Sequence, residues 1–321
     1  MNRRRIALLA LAGVVAAVFY VTQPFVSGPI EPRRPLVMDA ASLEQDVRTL
    51  CEKFGPRDAA HPENLARIAD WLKQEFAAAG GRVSEQPFPA DGALYRNVSA
   101  FFGPESGPRI VVGAHYDTRG ELPGADDNAS GVAGLLALAR AMKDEGALKT
   151  TVEFVAYPLE ESPNFRTADM GSAVHADALA RSGVEVRVMI GLEMIGRFSD
   201  EEGSQSYPLP LLSWLYPSRG DFIAVVGCLG EGLLVRRIKF AMIDDAPNLV
   251  SINAPRFVPG IDYSDHLNYW LHGFPAVMVT DTAYNRNRDY HTSGDTPDKL
   301  DYRRMARTLD AVRLAVFHLQ E

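Results

Sequence analysis

The chain has 321 residues, of which 46% are hydrophobic, so it is long and apolar enough to bury a substantial core. Its 33 basic and 41 acidic residues leave a formal net charge of −8. This acidic balance, with no basic stretch beyond residue 34, argues against nucleic acid as a partner. The length fits one large α/β domain or two small ones.

The first residues predict a membrane segment. Arginines at positions 3–5 precede an unbroken apolar run over residues 6–21, close to the roughly 20 residues that a spanning helix needs. The arginines are expected to stay in the cytoplasm and to place the rest of the chain outside it, in the periplasm or at the cell surface. A cleaved signal peptide, which would give a secreted protein, is the alternative. The bulky residues 19–21 favour an uncleaved anchor over residues 1–23.

After the anchor, residues 24–38 are predicted as a proline-rich tether and residues 39–321 as a single domain. Cys51 and Cys228 are the only cysteines. They can form one disulfide in an oxidising compartment or remain two thiols, and the sequence leaves both possibilities open. Neither cysteine has a partner at metal-ligand spacing.

Hydrophobic periodicity predicts two amphipathic helices near residues 40–54 and 63–79, followed by short apolar strands that alternate with helices. The predicted strands have the sequences NVSAFF, RIVVGAHYD, TVEFVAY, EVRVMIGLEM, DFIAVVG and FPAVMVTD. The later helices cover residues 130–143, 173–180, 233–243 and 302–318. This alternation predicts an α/β fold, a three-layer α/β/α sandwich around a twisted, mostly parallel sheet. Ligands of such folds gather beyond the carboxyl ends of the strands.

Two of the predicted strands lead into candidate site residues. The strand RIVVGAHYD ends with His115 and Asp117, whose side chains share a face, so Asp117 can hold the imidazole ring in one tautomer. The strand TVEFVAY is followed by Glu160 and Glu161, which face opposite ways in an extended chain. One can bind a metal while the other accepts a proton from a metal-bound water. Alone, the motifs also fit a strand-end histidine beside an acid and a solvated acidic loop.

Further candidates stand before and after these two motifs. Glu193 lies within an apolar strand, where a carboxylate is costly to bury unless it binds a metal or pairs with a cation such as Arg197. His291 lies in a polar loop before the last helix, where an ordinary surface histidine is the alternative. In GADDNASG, Asp126 and Asp127 precede a helix, and N-capping explains one acid but not both.

Together these side chains form a donor set for two metal ions. The set consists of His115, one aspartate of the pair, Glu161, Glu193 and His291. If the aspartate bridges two divalent ions, each ion receives a histidine, a carboxylate and the shared aspartate, and a bridging hydroxide completes an open, catalytic shell. The charges of two Zn²⁺ ions then balance those of three carboxylates and one hydroxide. Such a centre activates water and polarises a carbonyl at neutral pH.

The set and its order resemble the two-zinc aminopeptidases of metallopeptidase family 28 (clan MH). The resemblance covers roughly residues 109–300 and rests on HYD, GADDNASG, EE, the acid after MIGL, SDH at residues 264–266, and YHTSGDT. It implies two zinc ions, peptide substrates with a free N-terminus, and a mixed, twisted sheet between helices. One departure is Glu193, which stands where many relatives have aspartate.

The resemblance also implies a role for each metal ligand. Asp127 is the bridging ligand. His115 and Glu193 complete one zinc site, and Glu161 and His291 complete the other.

Around the metals, the resemblance implies Glu160 as the general base and acid and Asp117 as the residue that orients His115. Supporting positions near the site fall on Asp126, Asp265 and His266, and Tyr263 is a candidate donor to the tetrahedral intermediate.

The predicted function is therefore that of a zinc-dependent metallo-aminopeptidase, which hydrolyses the N-terminal peptide bond with a hydroxide that bridges two metals and Glu160 as the base. One alternative within the same fold is a glutaminyl-peptide cyclotransferase with one zinc. Another is a catalytically inactive, membrane-tethered binding scaffold. We expect Met194, Ile195 and the insertion at residues 200–220 to shape the substrate pocket, although the sequence does not predict a side-chain preference.

Overall fold

The computed structural model describes residues 3–23, 35–143 and 147–320. Their α-helices are α1 (Arg3–Thr22), α2 (Ala40–Arg48), α3 (Pro62–Ala78), α4 (Gly131–Met142), α5 (Gly171–Ser182), α6 (Gly232–Met242), α7 (His266–Leu271) and α8 (Tyr302–His318). Their strands are β1 (Arg82–Ala90), β2 (Ala93–Phe102), β3 (Arg109–His115), β4 (Thr151–Tyr157), β5 (Val186–Glu193), β6 (Phe222–Cys228), β7 (Asn248–Ala254) and β8 (Ala276–Thr280). Of the predicted tether, residues 24–34 lie outside the described residues, and Met38 at its end is buried.

The eight strands form one mixed sheet in the order β1-β2-β4-β3-β5-β8-β6-β7. The pairs β3–β4, β3–β5, β5–β8 and β6–β7 are parallel, and the other three pairs are antiparallel. Because β6 runs opposite to β8, the carboxyl ends of β6 and β7 lie at the edge away from the carboxyl ends of β3, β4 and β5.

Helices cover both faces of the sheet, because alternate side chains of a strand point to opposite sides. Ile110 and Val112 of β3 belong to one large core with the apolar faces of α2, α3, α4, α6 and α8. Val111 of the same strand belongs to a second core with α5 and α7. The predicted α/β/α sandwich is therefore confirmed.

The six predicted strands are present, and the structure adds two that the sequence pattern missed. Both are edge strands, which bury less apolar surface than central ones. Most of β1 is exposed or half-buried, and it contains Pro87 and Pro89, which a central strand does not tolerate. The other edge strand, β7, is polar in half of its length and has only three buried residues. The short helix α7, of 6 residues, was also missed.

The first helix, α1, stands apart from the cores. Its residues 3–17 are exposed, whereas Thr22 and the following Gln23 are buried. Among the described residues, α1 alone is long and apolar enough to cross a membrane, with a mean hydropathy of 2.1. A signal sequence has the same properties, so the anchor over residues 1–23 stays a prediction.

The two cysteines are free thiols. Cys51 lies in the turn after α2, where its sulfur is 3.8 Å from a guanidinium nitrogen of Arg57, and Cys228 ends β6. Of the alternatives left open by the sequence, the structure therefore shows two separate thiols.

Candidate metal centre and active site

The predicted site residues meet at the carboxyl edge of three adjacent parallel strands. The last residue of β3 is His115 and the last residue of β5 is Glu193, while Glu160 follows the end of β4 by three positions. The register pairs His115 with Tyr157 of β4, which sets the ends of β3 and β4 side by side. Strand order thus explains why residues far apart in the chain converge.

Asp127 lies between two histidines. Its Oδ1 is 3.4 Å from Nε2 of His115, and its Oδ2 is 3.0 Å from Nε2 of His291. Oε2 of Glu193 lies 3.3 Å from Nε2 of His115, and Oε1 of Glu161 lies 3.0 Å from Nε2 of His291. The two oxygens of one carboxylate therefore belong to two separate groups of donors.

Each group suits a divalent cation. The groups are His115, Asp127 and Glu193, and Asp127, Glu161 and His291, and within each the ligand atoms lie within 4.8 Å of one another. Among the described residues, the buried Nε2 of His115 has no hydrogen-bond partner. A buried nitrogen without a partner is costly unless another group binds it, and imidazole and carboxylate are donors that zinc accepts. The residues present therefore fit zinc.

The electrostatics of the cluster also favour a cation. Burial raises the pKa of Glu161 to about 7 and raises the pKa of Glu160 well above its ordinary value. Burial opposes the charged form of His115, but the carboxylates of Glu193 and Glu160 outweigh it and raise the pKa of this histidine well above its usual range. The carboxylates thus exceed the available positive charge in a buried volume, and a divalent cation is the group that compensates them.

Comparison with known proteins agrees with this chemistry. Residues 97–211 match the profile of peptidase family M28. The protein YfbL of Escherichia coli K12 is 48% identical over 304 residues, which cover 92% of this chain and 92% of that protein. This chain belongs to peptidase family M28.

Other similarities are more distant. A probable leucine aminopeptidase 1 of Trichophyton verrucosum is 25% identical over 325 residues, which cover 89% of this chain and 77% of that protein. BSAP, a zinc aminopeptidase from Bacillus subtilis, superposes with a TM-score of 0.70 at 16% identity, over 88% of this chain and 96% of its own. A glutaminyl cyclase from Fimbriiglobus ruber superposes with a TM-score of 0.67 at 20% identity, over 92% of this chain and 100% of its own. The two structures show a shared fold, and the M28 family and its aminopeptidase relatives support a hydrolase.

In this M28 chain, Asp117 holds the turn that carries the two glutamates. Its carboxylate accepts hydrogen bonds from the backbone N–H of Glu160 at 3.1 Å and of Glu161 at 3.0 Å. Its Oδ1 lies 3.5 Å from Nδ1 of His115, and its backbone carbonyl lies 3.2 Å from the same nitrogen. Residue 117 thus contacts the imidazole ring through two groups and fixes the glutamates at the same time.

Glu160 and Glu161 occupy different places in the site. Glu161 belongs to the donor group of His291, whereas Glu160 belongs to neither group. Oε2 of Glu160 lies 3.9 Å from Nε2 of His115, and its side chain is buried. The geometry fits the predicted division between one acid that binds metal and one that handles protons, and the roles themselves stay predictions.

Asp126 faces away from the histidines. Its Oδ1 accepts a hydrogen bond from the backbone N–H of Gly196 and its Oδ2 accepts one from Nδ2 of Asn287, both at 3.0 Å. Burial and the nearby carboxylate of Asp281 raise the pKa of Asp126 well above its ordinary value. Neither aspartate of the pair caps α4. The backbone N–H of Gly131, the first residue of α4, instead donates to Oδ1 of Asn128 at 3.1 Å. The first acid therefore supports the turn, and the second faces the candidate metal positions.

Asp295 and Arg57 are site residues that the sequence reasoning missed. The carboxylate of Asp295 accepts the backbone N–H of Asp126 and of Asp127, at 3.1 and 3.0 Å. The guanidinium of Arg57 donates to the carbonyl of Gly124 at 2.9 Å, which fixes the start of the same turn. Asp295 lies inside the quoted motif YHTSGDT and could have been found there, whereas nothing in the sequence near Arg57 marks it.

Asn128 ties the aspartate turn to the end of β5. Its Nδ2 donates to the carbonyl of Leu192 at 2.8 Å, and its Oδ1 accepts the backbone N–H of Met194 at 3.1 Å. Ser264 adds a direct contact, because its hydroxyl donates to Oε2 of Glu193 at 2.8 Å. These bonds fix Glu193 and the end of β5 against the aspartate turn.

The three remaining candidates, Asp265, His266 and Tyr263, differ in burial. Asp265 is fully buried, and burial raises its pKa to about 7. His266 is also buried, and its Nε2 donates to the carbonyl of Ile261 at 2.8 Å. Burial lowers the pKa of this histidine to about 4, which favours the neutral ring. Tyr263 is 43% exposed, and its ring packs beside Phe165. The structure thus places Tyr263 at the surface of the site.

An apolar cavity opens beside Glu193. Its wall includes Tyr207, Tyr216, Phe222, Val250, Ile252 and Met278. Residues 205–208, 212 and 216 of the insertion contribute to this wall, in agreement with the expectation for residues 200–220. Met194 and Ile195 are fully buried and do not line this cavity.

Proposed function

We propose that this chain is a zinc-dependent aminopeptidase that hydrolyses the N-terminal peptide bond of peptides, with two zinc ions and Glu160 as the general base and acid. The observation that carries the proposal is the position of Asp127, whose two oxygens face two different histidines. The names of the leucine aminopeptidase relatives support the same reaction class. The single peptidase domain over residues 39–321 is part of this proposal.

The residues would divide the work as follows. Asp127 is shared between the donor groups of His115 and Glu193 on one side and Glu161 and His291 on the other. Bound zinc supplies Lewis acidity, which lowers the pKa of a water and polarises the scissile carbonyl.

Glu160 takes the proton that the attacking water loses and delivers it to the nitrogen of the leaving amine. Burial, which favours the protonated form of this glutamate, suits both halves of that transfer because the carboxyl can hold the proton between the two steps. Asp117 keeps Glu160 in place through the backbone N–H bond at 3.1 Å.

The decisive experiment measures metal content and products together. Purified protein is loaded with zinc, analysed by mass spectrometry for metal per chain, and incubated with leucyl and glutaminyl peptides. Two zinc ions per chain and release of the free N-terminal amino acid support the aminopeptidase. One zinc and release of ammonia from glutaminyl peptides support the cyclase, which the fold shared with the Fimbriiglobus ruber enzyme makes the second candidate. A zinc-loaded protein with neither activity supports the inactive scaffold.

The cavity beside Glu193 predicts a preference for apolar N-terminal residues. Burying a leucine side chain contributes about 1.5–3 kcal/mol, so we expect kcat/KM for leucyl or phenylalanyl peptides to exceed that for aspartyl peptides by roughly 10- to 100-fold. Leu212→Asp places a charge on the half-buried wall and should remove most of this preference. The control is Leu211→Asp, because Leu211 is 58% exposed and does not line the cavity. Equal losses in both variants would contradict this assignment of the cavity.

We also propose that residues 1–23 anchor the chain in a membrane, with residues 24–38 as a connection and the catalytic domain outside the cytoplasm. Deletion of residues 1–30 is expected to give a soluble chain that retains the parental kcat/KM on soluble peptides, because no residue of α1 belongs to a donor group or lines the cavity. Gel filtration and peptide assays check this. A truncated chain that fails to fold would show that α1 is part of the core.

A further inference from the structure

The end of α1 is held by side chains of the catalytic domain. Nδ2 of Asn253 donates to the carbonyl of Tyr20 at 3.2 Å, and the hydroxyl of Ser251 donates to the carbonyl of Thr22 at 3.1 Å. Nζ of Lys239 donates to the carbonyl of Gln23 at 2.7 Å. The last carbonyls of a helix have no partner within it, and a cation there suits the helix dipole. The domain therefore caps α1, which is not merely linked to it by a tether.

Two further bonds attach the same helix end to the region where α6 begins. The hydroxyl of Tyr20 donates to the carbonyl of Leu229 at 2.7 Å, and Nε2 of Gln23 donates to the carbonyl of Gly232 at 2.6 Å. Leu229 and Leu233 border these contacts, and their side chains are 43% and 80% exposed. Two apolar side chains are thus exposed to solvent beside the point where α1 leaves the domain.

The outward face of α6 continues this surface with positive charge. Leu233, Arg236, Arg237 and Phe240 are exposed at helical spacing, while Val235 and Ile238 face the core. Within the described parts of the chain, neither guanidinium forms an ion pair with an acid. Apolar and cationic side chains on one exposed helix face are what an anionic lipid surface attracts.

The length of α1 fixes where this surface lies. Its 20 residues span about 30 Å, the thickness of the hydrocarbon core of a bilayer. A spanning α1 therefore brings Thr22 and its neighbours to the level of the lipid headgroups.

We infer that the face formed by Leu229, Leu233 and the outer side of the first turns of α6, with Arg236 and Arg237, rests on the bilayer, and that the catalytic domain is held there in one orientation. This inference rests on the proposed membrane anchoring. The occupant of the face is the lipid headgroup layer, with Leu229 and Leu233 inserted among the headgroups.

The direction of α1 also indicates the orientation of the candidate metal centre relative to the bilayer. From Thr22 back to Tyr20, α1 passes from Ser251 to Asn253, toward the carboxyl end of β7. That end lies at the sheet edge away from the carboxyl ends of β3, β4 and β5. The rest of α1 therefore extends away from the candidate metal centre, which faces the aqueous side and receives peptides from solution.

Tryptophan reporters in the full chain test the contact with lipid. Leu233→Trp reports on the proposed face. The matched control is Leu94→Trp, because Leu94 is 62% exposed and lies on β2, near the opposite edge of the sheet. Each variant is reconstituted in vesicles of phosphatidylcholine and phosphatidylglycerol with plain or brominated acyl chains. The emission of the parent, from its three native tryptophans, is subtracted.

The added emission of L233W is expected to fall by roughly half or more in brominated vesicles, because an indole at the membrane interface reaches the acyl chains, while that of L94W stays unchanged. Reversing both charges in L233W (R236E and R237E) is expected to weaken the quenching. Equal quenching of L233W and L94W in chains that float with the vesicles would overturn the lipid-facing surface alone. Chains that do not float would overturn the anchoring and this inference with it, and peptide hydrolysis by the same preparations reports separately on the proposed activity.

Discussion

Replacing Glu160 by Gln is expected to lower kcat on leucyl peptides by about 10²- to 10⁴-fold, the usual contribution of a positioned acid or base. The change removes the proton acceptor but no ligand, because Glu160 belongs to neither donor group. Zinc per chain should therefore equal that of the parent. Steady-state kinetics and metal analysis of the same preparation measure both quantities.

The matched control is Glu161→Gln, which makes the same chemical change at the adjacent position. Glu161 lies 3.0 Å from Nε2 of His291 and belongs to its donor group, so this variant should lose zinc as well as activity. If E160Q loses the metal and E161Q keeps it, the two glutamates have the opposite roles. The contrast tests the pair directly because Asp117 holds both backbones in the same way.

The fold could be predicted where burial dominates the pattern. β4, for example, is buried at all seven positions, and its apolar residues, interrupted only by Glu153, are recognisable in the sequence. The edge strands carry no such signal because one side of each meets solvent, and β1 in addition contains two prolines. The hydrophobic pattern also carries no information on whether paired strands are parallel or antiparallel. The antiparallel direction of β6 and β7 relative to β8 is therefore seen only in the structure.

The candidate ligands could be predicted because each directly follows or ends an apolar strand, or lies in a recognisable polar motif. Supports that lie in the same motifs, such as Asp117 and Asp126, could be predicted as well, but supports that act on the backbone from distant loops could not. Arg57, for example, donates to the carbonyl of Gly124, 67 positions away. The contact between α1 and the domain was missed for a similar reason. An apolar segment predicts a membrane helix, but three polar side chains on α6 and β7 decide that its end is held.

Asp127→Asn is expected to abolish the shared site. In the parent, one oxygen of Asp127 faces His115 and the other faces His291. An amide offers one oxygen and no charge, so it can serve only one of the two donor groups and presents N–H donors to the other. Zinc should fall to one ion per chain or fewer. Since Lewis-acid stabilisation is worth several kcal/mol, activity should fall by at least about 10³-fold.

Asp126→Asn is the control that separates loss of a ligand from loss of a buried carboxylate. Asp126 is equally buried, but its oxygens accept from Gly196 and Asn287 and do not face the histidines. This variant should keep its zinc and lose about 1–3 kcal/mol of stability, because one of these donors now meets an amide N–H. Thermal unfolding and metal analysis distinguish the two outcomes. Loss of zinc from D126N and its retention by D127N would assign the bridging role to Asp126. The turn would then have to adopt a conformation different from the one that Asp295 and Arg57 stabilise.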